Sequence, residues 1–217
     1  MKWVYICIAI LIIICCGCLY LTLKSPVEPF TGAQEGERNV FLYWVGDTPH
    51  LIALLRDIMV KHSNNGTAYR IHLINNDNIR DYVDVVPDCF NELVPAHQAD
   101  YVRVYCIWKY GGIWLDSDTL VMNDLSTLFE KLKSHEGFFI TEDKIYICNG
   151  LFGSRPKTAL MTEWLTSIQK TLADKQCKNF EWAEIGITYL TAAWKQGKLD
   201  GYDIIEGTDT MYLVTPG

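Results

Sequence analysis

No run of lysine or arginine occurs anywhere in the 217 residues, and acidic side chains outnumber basic ones 26 to 19. Neutralising a phosphate backbone needs clustered cations, so this charge pattern argues against a nucleic-acid partner. Beyond residue 24 the cysteines are Cys89, Cys106, Cys148 and Cys177, widely spaced with no C-x-x-C among them, which disfavours a zinc site. Cys106 and Cys148 sit in apolar runs and read as buried free thiols. Internal repeats and low-complexity tracts are missing. Histidine is scarce, and none of the five lies beyond His135.

Charge is absent from one long stretch, Trp3 to Leu23. Roughly 20 apolar residues suffice to cross a bilayer as a helix. A cleavable signal peptide competes, but its apolar region is usually about 7–15 residues and ends in a small-x-small site. The expectation is therefore an uncleaved transmembrane anchor over 1–24, making a single-pass, type II membrane protein with a lumenal or extracytoplasmic domain. Cys7, Cys15, Cys16 and Cys18 fall in this segment as small apolar residues or acylation sites. Residues 25–38, with two Pro, two Gly and mixed charge, read as a stem. Residues 39–217 then form one domain of ordinary size. Asn65-Gly66-Thr67 is an N-glycosylation sequon.

Within the domain, Asn39–Val45 is an unbroken apolar run of strand length, as expected of a strand covered on both faces. Pro49–His62 carries a helical stripe of Leu51, Leu54, Leu55, Ile58 and Met59. A second strand over Tyr69–Ile74, a short helix over Asn78–Val85 and an amphipathic helix over Ala96–Tyr110 follow. Further strands are expected at Ile113–Leu115, Gly137–Glu142, Lys144–Cys148, Asp203–Ile205 and Met211–Val214, with helices at Pro156–Ala173 and Glu181–Lys195. This alternation predicts an α/β fold with crossover connections.

The chemistry concentrates between Ala99 and Met122. A helix runs into Gly111-Gly112, which permit a sharp turn and close approach of a ligand to the backbone. The strand Ile113-Trp114-Leu115 then ends on Asp116 and Asp118. Two carboxylates flanking one residue can reach a single Mg²⁺ or Mn²⁺ that is also held by substrate phosphates. Such an ion makes a diphosphate a better leaving group. A bare D-x-D arises by chance about once in a chain of this composition, and a solvated strand end explains it equally well. Asp100 and Arg103, three apart on the preceding helix, read either as an exposed ion pair or as a cation and acceptor aimed at sugar hydroxyls. In open α/β sheets the carboxyl ends of strands are where ligands bind.

D-x-x-R, seven residues, then G-G-I-W-L-D-S-D resembles the signature of glycosyltransferases with a DXD sugar-binding region, of the α-mannosyltransferase-like and capsular-polysaccharide-synthesis types. Tyr43-Trp44-Val45-Gly46 resembles that family's motif after the first strand. The resemblance implies a GT-A (Rossmann-like) nucleotide-sugar-binding domain with a mostly parallel mixed sheet. It implies a Mn²⁺ or Mg²⁺ ion on Asp118 and Asp116, a UDP- or GDP-sugar donor, a glycan or glycoconjugate acceptor, and hexosyl transfer with retention. Asp100 and Arg103 would bind the donor, with Gly112 lining its site. Trp44 would stack on the base, or else serve as a core aromatic. Asn149 would face donor or acceptor, unless Asn149-Gly150 is simply a turn. Glu184-Ile185-Gly186 is a weaker match of the same kind.

Relatives of this type continue past the last strand to a His or Asn near a Trp that covers the donor; here the sequence reads Val214-Thr215-Pro216-Gly217, and a missing lid is expected. A lapsed, sugar-nucleotide-binding homologue is the alternative this suggests. A haloacid-dehalogenase-type phosphatase also uses D-x-D-x-T on a strand, but that strand comes first in its domain and needs a later acidic pair. No Asp-Asp or Asp-x-x-x-Asp follows Asp118.

Overall fold

A computed structural model describes residues 33–63, 66 and 68–207. The expected anchor, most of the stem, Asn65 and Thr67 of the sequon, and the strand expected at Met211–Val214 lie outside the described residues. Among those described, no helix is long and apolar enough to cross a membrane.

The elements in chain order are β1 (Asn39–Tyr43), α1 (His50–His62), β2 (Arg70–Ile74), α2 (Ile79–Tyr82), α3 (Pro95–Tyr110), β3 (Gly112–Leu115), α4 (Ser126–Ser134), β4 (Gly137–Glu142), β5 (Tyr146–Ser154), α5 (Ala159–Lys175), α6 (Ile187–Lys195) and β6 (Tyr202–Glu206). Six strands form one sheet in the order β2-β1-β3-β5-β4-β6. β1 runs parallel to β2 and β3, and β4 parallel to β6, while β5 is antiparallel to both β3 and β4. Only β5 is reversed. The chain leaves β1 for β2 on one side and returns to β3 on the other. The carboxyl ends of β1 and β3 thus flank a topological switch point, where a crevice opens.

Both faces of the sheet are covered, which explains why β1 reads as a continuous apolar run. Phe41 and Tyr43 join the core with α3, α5 and α6, and Val40 and Leu42 face the core with Met59 of α1 and Phe129 of α4. β3 alternates likewise, Trp114 on the first side, Ile113 and Leu115 on the second.

Some expectations change. The buried stripe of α1 is Ile52, Leu55 and Met59, whereas Leu51 and Leu54 are exposed, so the phase of the helix differs from the leucine count. α3 is buried on nearly every side, because it lies between the sheet and α5. Pro95 opens it at a position where no N–H is needed. Residues 182–186 form turns, and α6 starts only at Ile187. α4 was not apparent in the periodicity; Leu128 and Phe129 alone anchor it as buried residues. Cys89 and Cys177 are joined in a disulfide; Cys106 and Cys148 are free as expected, Cys106 buried but Cys148 only half-buried.

Candidate active site

Helix α3 must reverse into β3 within two residues. Gly111 and Gly112 take φ values of +70° and +111°, and a Cβ on Gly112 would stand 2.4 Å from the Asn39 carbonyl oxygen. L side chains are excluded there on both counts. The close approach seats β3 beside β1. Gly112 opens β3 at its amino end, so the structure does not bring it to the other candidate residues; its close neighbour is the backbone of Asn39.

At the other end of β3 the ladder continues by one bond, from Asp116 N to the Gly150 carbonyl at 2.9 Å. This register sets Asn149 and Gly150, which lie within β5 and not in a turn, beside the first carboxylate. Gly150 leaves room for it: a Cβ there would sit 2.8 Å from Asp116 Oδ2. Ser117 Oγ donates to the Tyr43 carbonyl at 2.9 Å and ties the D-S-D segment to the end of β1.

Asp100 and Arg103, each only 6% exposed, come from the α3 face beneath. They are no surface pair. Arg103 Nη1 donates to the Asn149 carbonyl at 2.7 Å. Its Nη2 lies 3.5 Å from Asp100 Oδ1 and 3.4 Å from Asp116 Oδ1. The guanidinium carbon sits 5.2 Å from the Trp114 ring centroid, a cation–π arrangement that suits the planar Arg group. Asn149 Nδ2 donates to Asp100 Oδ1 at 3.0 Å, and Trp114 Nε1 donates to Asp116 Oδ1 at 2.8 Å. Gly186 closes the cluster, since a Cβ there would fall 2.4 Å from Asn149 Nδ2 and 3.1 Å from Asp100 Oδ1.

Burial raises the Asp100 carboxyl above the ordinary carboxylate range, against the pull of Arg103. Burial raises Asp116 as well, opposed by Arg103 and the Trp114 N–H and reinforced by the nearby Asp118 charge. The Asp116 side chain still keeps 39% of its surface open, so it is crowded by protein yet reachable. Asp118 is exposed and makes no hydrogen bond or ion pair within the described residues. The donor set fits a hard divalent cation poorly supplied by protein: one unpaired carboxylate, one oxygen of a second, and no cluster of three acidic, His or Cys ligands among the described residues. Phosphate and water oxygens would have to complete such a shell, as is usual for Mg²⁺.

Trp44 stands apart from this cluster but on the same edge of the sheet. It follows β1, is half-buried, and is pinned by its Nε1 donating to the Asp47 carbonyl at 3.0 Å. With Arg56, Leu73, Asn75, Asn76 and Asp77 it lines a cleft of about 340 Å³ at the carboxyl ends of β1 and β2. Tyr43, whose hydroxyl lies 2.5 Å from Asn76 Oδ1 and 3.0 Å from Gln98 Oε1, links this cleft to α3. Arg56, Gly186 and Gln98 carried no sequence signal of a site, apart from the weak Glu184-Ile185-Gly186 match. Their placement depends on packing between distant segments.

Residues 24–176 match the family described as capsular polysaccharide synthesis protein. O-glycosyltransferase braB of Annulohypoxylon truncatum is 24% identical over 157 residues, covering 62% of this chain and 37% of the fungal protein. The chain therefore spans little more than a third of that relative. An uncharacterised protein of Arabidopsis thaliana is 47% identical over 34 residues, 16% of this chain and 5% of its own. Among solved structures, the PaToxG glycosyltransferase superposes with a TM-score of 0.52 at 11% identity, over 76% of this chain and 70% of that one. At that identity the likeness is one of fold. With the family matched over most of its length, the chain belongs to the capsular polysaccharide synthesis protein family.

Proposed function

We propose that this chain is a glycosyltransferase, moving a hexosyl group from a UDP- or GDP-sugar to a glycan or glycoconjugate acceptor, with retention as the family resemblance implies. The observation that carries the reading is the buried Asp100–Arg103–Asn149–Asp116 network, directly beneath a free carboxylate at a sheet switch point. A bound Mg²⁺ or Mn²⁺ on Asp118 and Asp116 would neutralise the donor diphosphate. Arg103 and the Trp114 N–H hold Asp116 through Oδ1, leaving Oδ2, beside Gly150, for the ion. Asp100 and Asn149 offer an acceptor and a donor for sugar hydroxyls, and Trp44 a face for the base. In transfer, the acceptor oxygen bonds to the anomeric carbon as that carbon's bond to the diphosphate oxygen breaks. The bonding pair leaves on the nucleoside diphosphate, and the acceptor proton goes to solvent.

The charge-free segment before Lys24 supports a membrane anchor. The Cys89–Cys177 disulfide supports a lumenal or extracytoplasmic domain, because such bonds persist in oxidising compartments. A lapsed enzyme is the second reading, favoured by the sparse donor set that the described residues place around Asp118. The phosphatase alternative loses ground, because the D-S-D strand is third in the chain.

The test is calorimetric titration with UDP- and GDP-sugars, with and without Mn²⁺, followed by donor-hydrolysis and transfer assays. Metal-dependent binding with turnover is expected, and Asp118→Ala should abolish the metal-dependent part. Binding without hydrolysis or transfer would identify the lapsed form. Phosphatase activity without sugar-nucleotide binding would sink the proposal.

A further inference from the structure

Trp182 is 75% exposed, the most exposed large hydrophobic side chain among the described residues. It lies in the turns before α6, four residues ahead of Gly186, whose Cα packs on Asn149 and Asp100. Its ring centroid is 6.4 Å from that of His97, and Phe180 meets the same imidazole edge-on at 5.4 Å. His97 is 6% exposed, and its Nε2 is buried with no hydrogen-bond partner among the described residues. Leaving a buried ring nitrogen unpaired is unfavourable. An isolated exposed Trp needs no explanation by itself. An exposed indole over an unpaired buried imidazole, one helical turn from Asp100, does.

We infer that Trp182 and His97 form the subsite for the acceptor glycan, a reading that rests on the glycosyltransferase proposal. The strand order supplies the direction. The Trp44 cleft lies at β1 and β2, the carboxylates at β3 and Asn149 on β5, with Gly186 against Asn149 and Asp100. On α3, Gln98 reaches toward β1 through Tyr43, while the adjacent His97 faces Phe180 and Trp182. A donor with its base in the cleft and its diphosphate at Asp116 and Asp118 brings its sugar to Asp100 and Asn149. The acceptor then meets that sugar from the Trp182 side, where the exposed indole offers it a surface. A pyranose presents an apolar C–H face and a rim of hydroxyls, and an amphipathic indole suits the first. A hydroxyl of the same sugar supplies the partner that His97 Nε2 lacks, reached as the Trp182 turn adjusts around the ligand.

Fluorine NMR of the full chain labelled with 5-fluorotryptophan tests this, with Trp182→Phe and Trp44→Phe assigning the two resonances. GDP and UDP with Mg²⁺ are titrated first, then a panel of neutral mannosyl, galactosyl, glucosyl and xylosyl oligosaccharides. Nucleotide should move the Trp44 resonance, and at least one oligosaccharide should move that of Trp182. Trp182→Ala should weaken that oligosaccharide about tenfold or more without changing nucleotide affinity, and His97→Ala should weaken it too. Nucleotide binding with no oligosaccharide response at Trp182, or equal oligosaccharide affinity in Trp182→Ala, overturns the acceptor assignment alone. No response to either nucleotide overturns the donor reading, and this inference with it.

Discussion

Arg103 Nη1 donates to the main-chain carbonyl of Asn149 at 2.7 Å, joining α3 to β5 across 46 positions of sequence. The same guanidinium faces Asp100 and Asp116, so one side chain holds helix, strand and carboxylate together.

Replacing that cation with a neutral side chain of similar length leaves Asp100 buried without its counter-charge. Arg103→Met should destabilise the domain by about 3–5 kcal/mol, the usual cost of breaking a buried pair. Urea unfolding followed by circular dichroism measures it. Arg103→Lys should recover part of the stability but little donor binding, because an ammonium cannot reproduce the planar fork. Equal stability of Arg103→Met and the parent would show the network to be energetically idle.

Gly186→Ala should disrupt the site more than the fold. Its Cβ would press on Asn149 Nδ2 and Asp100 Oδ1, pushing apart a hydrogen-bonded pair in the centre of the cluster. A loss of donor affinity of roughly tenfold or more is expected in calorimetry, about 1.4 kcal/mol, with a far-UV spectrum like that of the parent. Gly150→Ala should act similarly through Asp116. Unchanged donor affinity in both variants would count against the cluster as the donor site.

His72 gives a pH dependence. Asn39 Nδ2 donates to the Gln34 carbonyl, so Asn39 Oδ1 is left to accept from His72 Nε2 at 2.9 Å, which fixes a neutral tautomer. Burial, with Arg70 adding, lowers this imidazole to about 4. The unfolded chain takes up the proton near the ordinary value of about 6.5. Stability from the neutral ring is therefore full above that value and falls as pH drops toward 4, by about 3 kcal/mol. Thermal unfolding across this range should show the decline, and His72→Asn should flatten it. A profile identical in the variant would remove His72 as its source.

The Cys89–Cys177 bond closes a loop of 88 positions. By chain entropy its loss should cost about 4–5 kcal/mol. Cys177→Ser, or reduction of the parent, should lower the unfolding midpoint, and reductant should shift Cys177→Ser far less than it shifts Cys106→Ser, which keeps the bond. No shift on reduction would show that the bond does not form in the folded protein.

Much of the scaffold could be read from local pattern. Unbroken apolar runs at Val40–Tyr43 and Ile113–Leu115 foretell strands covered on both faces, and the Gly111-Gly112 pair foretells the turn into β3. The spacing of Asp100, Arg103, Asp116 and Asp118 also singled out the segment, because it is local to one helix, one turn and one strand. Periodicity failed where neighbours decide. Leu51 and Leu54 look like core on a helical wheel, yet α1 presents Ile52 instead, since the sheet surface it meets sets its rotation.

The amino-acid order by itself determined which short segment carries the acidic chemistry and that its scaffold alternates strand and helix, because both are written in near-neighbour spacing. Only the tertiary structure decided that Asp100 and Arg103 are buried, that reversed β5 lays Asn149 and Gly150 against Asp116, and that Gly186 sits against Asn149 and Asp100 while Trp182 stands exposed beside His97. Those are pairings between segments distant in sequence. They arise from strand order and from the space a missing Cβ leaves, neither of which has a periodic trace in the chain.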